Sequence, residues 1–273
     1  MSKIPFIDSL RYQLTKNNRT EDFYRHQYQK IFDKFYNRSK DCLEIEGLRL
    51  PLLSHEKHPT RDEAYYAMEI GDILYPALFG RYHYIDEGPY EWKNVRIQDG
   101  DVVFDCGANF GVFSILAASR GAEVYAFEPI HEARVILQKT LELNPDIAKN
   151  VTVVPYAVSD TPGKATFTIL MDTLIGSSMV LDQKGRLETV PVTTIDKFCT
   201  ENSLTVDFIK ADVEGSERRM LAGAQDVLRN QGPKISVCTY HLPDDPEVIG
   251  DLILKANPRY RIVERWKKMY AGF

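Results

Sequence analysis

The sequence has 273 residues, 44% of them hydrophobic, which is enough for one large domain or one domain with a smaller appendage. The net charge of -5 excludes a general electrostatic attraction to nucleic acid or to an anionic membrane. The four cysteines lack C-x-x-C or zinc-site spacing and no long apolar stretch is present, so we expect a cytoplasmic protein with free thiols and no membrane partner.

Residues 1–98 are predicted to form a helical and irregular cap. After Thr20, which is suited to cap a helix, apolar and aromatic residues recur at helical spacing. That face must pack against the later domain or against a second copy of the chain, so a homodimer through this helix is one alternative. Prolines interrupt residues 41–98, whose last part is either a solvated turn or a flap that places Tyr90 and Glu91 over a ligand.

Residues 99–273 alternate between β-branched runs and amphipathic stretches. The alternation predicts an α/β fold, a mostly parallel and doubly wound Rossmann-like sheet with helices on both faces. One helix is predicted from Ser216 to about Arg229, and two extended segments, 164–170 and 189–193, interrupt the rhythm. The main strands are predicted at Val102–Cys106, Glu123–Phe127, Val151–Tyr156, Val206–Lys210, Ile235–Tyr240 and Arg261–Glu264.

A polar residue lies at the end of each of the first five main strands. A single acidic residue at such a position is usually a turn former. Five at equivalent positions indicate a ligand site, because the carboxyl ends of parallel strands form the binding edge of such a sheet. The five are Asp105, Glu128, Asp160, Asp212 and His241.

The stretch from Val102 to Gly111 is typical of a strand, a tight turn and a helix that bind a nucleotide-like ligand. Gly107 lets the ligand approach the main chain. Glu128, after the second strand, can accept hydrogen bonds from both ribose hydroxyls and disfavours the 2′-phosphate of NADP. The bulky residues of the turn do not suit a pyrophosphate, and Asp105 would repel one. We therefore favour a cationic sulfonium ligand over NAD.

Several motifs together resemble the FkbM-type S-adenosylmethionine-dependent methyltransferases. The resemblance covers about Gly88 to His241 and implies a class I methyltransferase fold. It also implies methylation of a hydroxyl group on a sugar, a glycan or a natural product. The motifs that carry it are Val103–Gly111, Tyr125–Pro129, Ala157–Asp160, Ile195–Phe198 and Phe208–Glu217.

The resemblance also implies roles for individual residues. Asp105, Gly107 and Asn109 would line the methionine part of the cofactor, and Glu128 would hold the ribose. Val158 with Ser159 or Asp160 would border the adenine, and Asp212 would lie beside the methyl group and the acceptor. With the flap and the rest of the turn, the expected cofactor site is Tyr90, Glu91, Asp105, Gly107, Ala108, Asn109, Phe110, Gly111, Glu128, Pro129, Val158, Ser159, Asp160 and Asp212.

The end of the chain departs from the family pattern. Folds of this kind finish with an antiparallel hairpin, but only seven residues follow Trp266, so we expect a short, truncated or replaced last strand. The basic and aromatic residues from Arg259 to Lys268 indicate either a solvated strand edge or a surface that docks an acidic sugar or phosphate.

Transfer of a methyl group to a hydroxyl requires removal of a proton, and histidine is the commonest general base. We therefore predict His241 as the base, with Asp212 and Glu214 as competitors. The metal-assisted alternative is a magnesium site formed by Asp212, Glu214 and His241 together with Asp244 and Asp245. We favour helix capping for those two aspartates and hence no metal.

Two other functions remain open. An NAD-dependent oxidoreductase or epimerase would need a Tyr-x-x-x-Lys pair, which is missing after the fourth strand. A scaffold that binds S-adenosylmethionine without turnover would act through the N-terminal helix. The acceptor is expected to be a small molecule or a glycan, and residues 1–98 and 164–187 are expected to shape its pocket.

Overall fold

The structure is a computed structural model that describes residues 21–53, 61–80, 87–170, 179 and 185–273. Thr20 and most of the expected acceptor segment around 171–184 lie outside the described residues. The cap begins with a helix, a three-stranded antiparallel sheet and a second helix that continues into a π-helix. Its elements are α1 (Glu21–Phe35), β1 (Tyr36–Asn37), β2 (Cys42–Ile45), β3 (Leu48–Pro51), α2 (Arg61–Glu69), the π-helix (Ile70–Leu74) and α3 (Tyr75–Phe79).

The cap packs on the rest of the chain and is continuous with its core. Tyr28 and Ile31 bury the aromatic face of α1 within the chain, where α1 packs along α2. This agrees with the intramolecular alternative, and the homodimer stays a prediction. The side chain of Asn144 holds β3 through two hydrogen bonds. Its Oδ1 accepts one from the backbone N–H of Arg49 at 2.9 Å, and its Nδ2 donates one to the carbonyl oxygen of Arg49 at 2.6 Å. The predicted boundary after residue 98 therefore separates two regions that share one hydrophobic cluster.

In the part of the chain that the structure describes, seven strands form the central sheet. Five are parallel, and the two at one edge form an antiparallel hairpin. The predicted mostly parallel α/β fold is confirmed. In spatial order the strands are β12 (Arg261–Arg265), β13 (Lys268–Gly272), β11 (Lys234–Cys238), β10 (Phe208–Ala211), β4 (Val102–Cys106), β5 (Glu123–Phe127) and β6 (Val151–Val154).

The two faces of the central strands belong to different hydrophobic clusters, because successive side chains of a strand point to opposite sides. Val103 and Phe208 belong to the cluster that includes the cap, whereas Phe104 and Ile209 belong to a second cluster. Helices cover the sheet. They are α4 (Val112–Ser119), α5 (His131–Leu143), α6 (Pro145–Ala148), α7 (Ile195–Asn202), α8 (Glu217–Ala222), α9 (Gln225–Asn230) and α10 (Asp245–Ala256).

The prediction of one helix from Ser216 to about Arg229 is wrong, because this part of the chain forms two helices, α8 and α9. The helix is interrupted at Gly223, where an added Cβ would collide with the carbonyl oxygen of Ser159. The carboxylate of Asp196 then accepts hydrogen bonds from the backbone N–H groups at the start of α9.

The third predicted strand is also shorter than expected, because the chain leaves the central sheet after Val154. Residues 157–158 instead pair in parallel with another strand of a small second sheet, whose other pairing is antiparallel. Both extended segments that interrupt the alternation belong to it. Its strands, in spatial order, are β7 (Ala157–Val158), β9 (Gly185–Thr193) and β8 (Gly163–Leu170).

The expectation of a truncated or replaced last strand is wrong. β13 has five buried residues and lies between β12 and β11, antiparallel to both. The reversal takes two residues, Trp266 and Lys267, and Trp266 adopts a positive φ of 58°. Such a tight turn leaves enough chain for a complete strand. No helix within the described ranges is long and apolar enough to cross a lipid bilayer.

Candidate cofactor and acceptor site

A cavity lies where the carboxyl ends of β4, β5 and β10 meet the cap. Two sets of residues, which we name the sheet wall and the cap wall, form it. The sheet wall consists of residues at the ends of strands or in the turns that follow them: Gly107, Asn109, Glu128, Val158, Asp212 and Glu214. The cap wall comes from the cap and the last hairpin: Glu69, Asp72, Glu87, Tyr90 and Lys268.

The glycine turn has the geometry that the sequence predicts. Gly107 has a φ of +78°, and an added Cβ would collide with the carbonyl oxygen of Asp212, so glycine is required for two reasons. Ala108 and Asn109 also line the cavity. Phe110 and Gly111 do not line it. The ring of Phe110 packs against Tyr66, and Gly111 precedes α4 with a φ of 84°.

The carboxylate of Glu128 is held at the cavity by two backbone groups. Its oxygens accept hydrogen bonds from the N–H of Asn109 at 2.9 Å and the N–H of Ile130 at 2.8 Å. Burial raises its pKa to about 7, despite these hydrogen bonds, which lower it. Pro129 lines the cavity beside it. This arrangement leaves Glu128 able to accept further hydrogen bonds from hydroxyl groups of a ligand.

Asp105 does not line the cavity, and our interpretation that its charge faces the ligand is wrong. It is fully buried, its Oδ1 lies 3.0 Å from Nζ of Lys210, and its Oδ2 accepts a hydrogen bond from the Ser114 hydroxyl at 2.6 Å. Asp105 and Lys210 are partners in the register of β4 and β10, so their side chains lie on the same face of the sheet. The aspartate is therefore neutralised inside the protein.

At the other end of the sheet wall, Val158 lines the cavity, together with Tyr156 and Ala157. Ser159 and Asp160 do not. The N–H of Ser159 donates to the second sheet, and Asp160 is exposed and forms an ion pair with Arg219 at 2.9 Å. The five polar residues after the strands are thus not equivalent.

In the last part of the cap, Tyr90 and Glu91 have different roles. The Tyr90 hydroxyl donates a 2.6 Å hydrogen bond to Oδ2 of Asp212, so this residue reaches the cavity as expected of a flap. Glu91 does not. Its carboxylate forms an ion pair with Arg120 and accepts the N–H of Ile97 at 3.0 Å, which makes it a support for the segment.

Three carboxylates surround His241, whose side chain is 4% exposed. Its Nε2 lies 3.1 Å from Glu214 and 3.8 Å from Asp212, and its Nδ1 lies 3.1 Å from Glu217. Burial lowers the pKa of His241, but the hydrogen bonds to Glu214 and Glu217 outweigh it and raise the pKa to about 11. An imidazole whose pKa is raised this far already carries a proton at neutral pH, so the geometry argues against His241 as the general base.

The neighbouring carboxylates respond in opposite directions. Burial raises the pKa of Asp212, but the charges of His241 and Lys210 outweigh it and hold the pKa below its usual value. The pKa of Glu214 is raised, chiefly by burial. Glu214 also has a positive φ of 52°, a conformation that costs free energy in a residue with a side chain and that is found at functional sites.

The magnesium alternative requires Asp244 and Asp245 beside this cluster, but Arg218 holds both. It forms an ion pair with the exposed Asp244 and a second one with Asp245 at 2.5 Å. Asp245 also accepts the N–H of Leu242 at 2.7 Å and so closes the start of α10. The five-residue set is therefore not assembled.

Sequence reasoning missed Lys210 and most of the cap wall. A lysine inside the apolar strand Phe208–Ala211 could have been found, since a buried cation requires a partner. Lys268 belonged to the basic tail, but it is 1% exposed and donates to the carbonyl oxygen of Glu87 at 3.1 Å. The tail therefore does not present it as a docking surface. No local signal marked Glu69 or Asp72.

Comparisons with known proteins agree with this geometry. The family model described as the methyltransferase FkbM domain matches residues 105–260. The 31-O-demethyl-FK506 methyltransferase FkbM of Streptomyces tacrolimicus is 26% identical over 262 residues, which cover 84% of this chain and 94% of that protein.

A solved structure shares the fold. The crystal structure of methyltransferase FkbM from Methylobacillus flagellatus KT superposes with a TM-score of 0.51 at 24% identity. The match covers 65% of this chain but only 44% of the solved one, so this chain spans less than half the length of that protein. The family model covers more than half of the sequence. The chain therefore belongs to the FkbM family of methyltransferases.

Proposed function

We propose that this methyltransferase uses S-adenosylmethionine to methylate a hydroxyl group of a small molecule or a glycan. The observation that carries the proposal is the sheet wall, in which a glycine turn and a carboxylate lie at adjacent strand ends beside an acidic cluster. The 26% identical relative is named as a methyltransferase of 31-O-demethyl-FK506, a name that supports an oxygen acceptor.

The residues of the sheet wall fit the cofactor. Gly107 lines the cavity in a backbone conformation that no other residue could take there, because a Cβ would collide with the carbonyl oxygen of Asp212. Glu128 would hold the ribose hydroxyls, and Val158 would border the adenine. Oδ1 of Asp212 is buried and accepts no hydrogen bond from the described residues, so it remains available to a ligand. S-adenosylmethionine, when bound, supplies a methyl group activated by a positively charged sulfur.

We assign the general base to Glu214 and a positioning role to His241. The raised pKa of Glu214 suits a group that must accept a proton from a hydroxyl. The charged imidazole, itself held by Glu217 at 3.1 Å, orients the Glu214 carboxylate through its Nε2. Asp212 and Tyr90, joined by their 2.6 Å hydrogen bond, would position the acceptor beside the base.

Binding and turnover test the proposal. Calorimetry should detect S-adenosylmethionine and no NAD, and radiolabelled methyl transfer should appear with 31-O-demethyl-FK506 or with members of a panel of methyl glycosides. Binding of NAD without the sulfonium compound would contradict the proposal. Binding of S-adenosylmethionine without transfer to any hydroxyl would favour the scaffold instead.

The base is tested with Glu214→Gln, which should lower kcat by roughly 10²-fold or more while the cofactor Kd barely changes. NMR should show that the His241 imidazole stays protonated at pH 8, with His241→Gln used to assign its signals and the exposed His131 as a reference. Titration of His241 near pH 6.5 would return it to the role of base.

A further inference from the structure

The hydrogen-bond acceptors around the glycine turn are partly occupied by the protein itself. Asp105, the acidic residue closest to the turn on β4, is neutralised by Lys210 at 3.0 Å and by Ser114 at 2.6 Å. The carbonyl oxygen of Gly107 accepts a hydrogen bond from the same Lys210 ammonium at 2.5 Å. A cationic group of a ligand beside this turn therefore needs another anionic partner.

Glu69 faces the turn from the opposite side of the cavity. It is the last residue of α2, directly before the π-helix, a type of segment that often occurs at functional sites. Its Oε1 accepts a 2.7 Å hydrogen bond from Nδ2 of Asn109, and the side chain lines the cavity. The other carboxylate oxygen, Oε2, takes no part in this hydrogen bond.

From this juxtaposition we infer that Glu69 binds the ammonium group of the methionine part of S-adenosylmethionine. The inference rests on the proposed function. Of the two cationic groups of the cofactor, the ammonium has three N–H donors and the sulfonium has none, so the ammonium is the better partner for a carboxylate. Asn109, which touches Glu69 directly, belongs to the turn expected to hold the methionine part.

The electrostatics of Glu69 support this assignment. Burial raises its pKa to about 7, and the neighbouring charges of Asp212 and Asp105 act in the same direction. The Asn109 hydrogen bond and Lys210 only partly oppose the shift. An ammonium group would provide the positive charge that this carboxylate lacks, and the cap would thereby complete the cofactor site.

The variant Glu69→Gln tests the inference, because it keeps a carbonyl oxygen for Asn109 and removes the negative charge. Three ligands measured by calorimetry distinguish the groups: S-adenosylmethionine, S-adenosylhomocysteine, which has the ammonium but no sulfonium, and 5′-methylthioadenosine, which has neither. We expect about ten- to hundredfold weaker binding of the first two and equal binding of the third.

Each other outcome overturns the inference. Weakening of S-adenosylmethionine alone would assign Glu69 to the sulfonium, and weakening of all three ligands would indicate damage to the nucleoside site. Three unchanged affinities would remove Glu69 from the cofactor site. If the wild-type protein binds no S-adenosylmethionine, the proposed function fails as well. Glu142→Gln, which removes one exposed charge on α5, is the matched control and should change none of the affinities.

Discussion

The two walls of the cavity are built in different ways. The sheet wall comes from residues at strand ends or in the turns directly after them, so short pieces of sequence determine its geometry: Gly107 follows β4, and Glu128 follows β5. The cap wall has no such local origin. The hydrogen bond between Lys268 and Glu87 joins residues 181 positions apart, and the one between Tyr90 and Asp212 joins residues 122 apart. For the proposed function, the sheet wall together with Glu69 would hold the cofactor, and the rest of the cap wall would hold the acceptor.

The largest effect should come from Gly107→Ala in the sheet wall. The added Cβ collides with the backbone of Asp212, so we expect S-adenosylmethionine binding to weaken about 100-fold or more. Gly100→Ala is the matched control, since Gly100 has a similar φ of +83° but no atom within 4 Å of an added Cβ. It should cost about 1 kcal/mol of stability and leave binding intact. Unimpaired binding by Gly107→Ala would contradict the assignment of the cofactor to the sheet wall.

Lys268→Met addresses the cap wall. It removes a buried cation 3.9 Å from Glu87 and 4.3 Å from the centre of the Tyr90 ring, so the free energy of unfolding should fall by about 3 kcal/mol. We expect the KM for the acceptor to rise while the cofactor Kd stays within about twofold. Urea unfolding and steady-state kinetics check both, with the exposed Lys255→Met as the control. A weakened cofactor Kd with an unchanged KM would contradict the assignment.

A smaller effect is expected from pH. Burial raises the pKa of both Glu69 and Glu128 to about 7, and a bound cofactor would favour their ionised forms. Its affinity should therefore weaken about tenfold between pH 8 and pH 6. The stability of the unliganded protein depends on pH in the opposite direction. These groups contribute stability below their usual pKa of 4.5 that is lost as the pH rises through 7.

Calorimetry at pH 6, 7 and 8 measures the affinity, and urea unfolding over the same range measures the stability. Glu69→Gln should make the affinity less dependent on pH. A pH-independent affinity in the wild-type protein would mean that neither carboxylate faces the ligand's charge.

The smallest effect should come from Asp244→Asn, outside both walls. Arg218 holds this exposed aspartate on the surface, so turnover should change by less than about twofold. Activity that depends on Mg²⁺ in the wild-type protein, and that this variant reduces strongly, would restore the metal-assisted alternative.

The sequence predicted the sheet wall well, because strand, turn and helix are contiguous there. β4 spans the predicted Val102–Cys106, and the glycine turn and Glu128 lie where local pattern indicated. The direction in which the Asp105 side chain points could not be predicted, since it depends on the strand register that places Lys210 beside it on β10. Asp160 was misplaced because the chain leaves the central sheet after Val154, at Pro155, which has no N–H to donate to a neighbouring strand.

The cap wall was beyond prediction for a different reason. Glu69 and Asp72 lie at and within a π-helical segment, where the ordinary helical spacing of side chains does not apply. The carboxylate of Asp72 holds the N–H groups of Glu87 and Gly88 at 2.7 and 3.3 Å, contacts that depend on the folded path of the chain. The protonation of His241 likewise arises from three carboxylates that the fold collects around it.

The position of β13 has a consequence for the order in which the protein is made. This strand pairs with β11 and β12 at once and brings Lys268 to Glu87, so the contact joins an early part of the chain to one synthesised much later. Contacts between such distant segments form slowly, because a large loop must close first. Four of the five cap-wall residues precede the sheet wall in the chain, so during synthesis Lys268 is the last part of the cavity to arrive. A nascent chain would therefore carry the proposed cofactor residues of both walls before Lys268 completes the acceptor side.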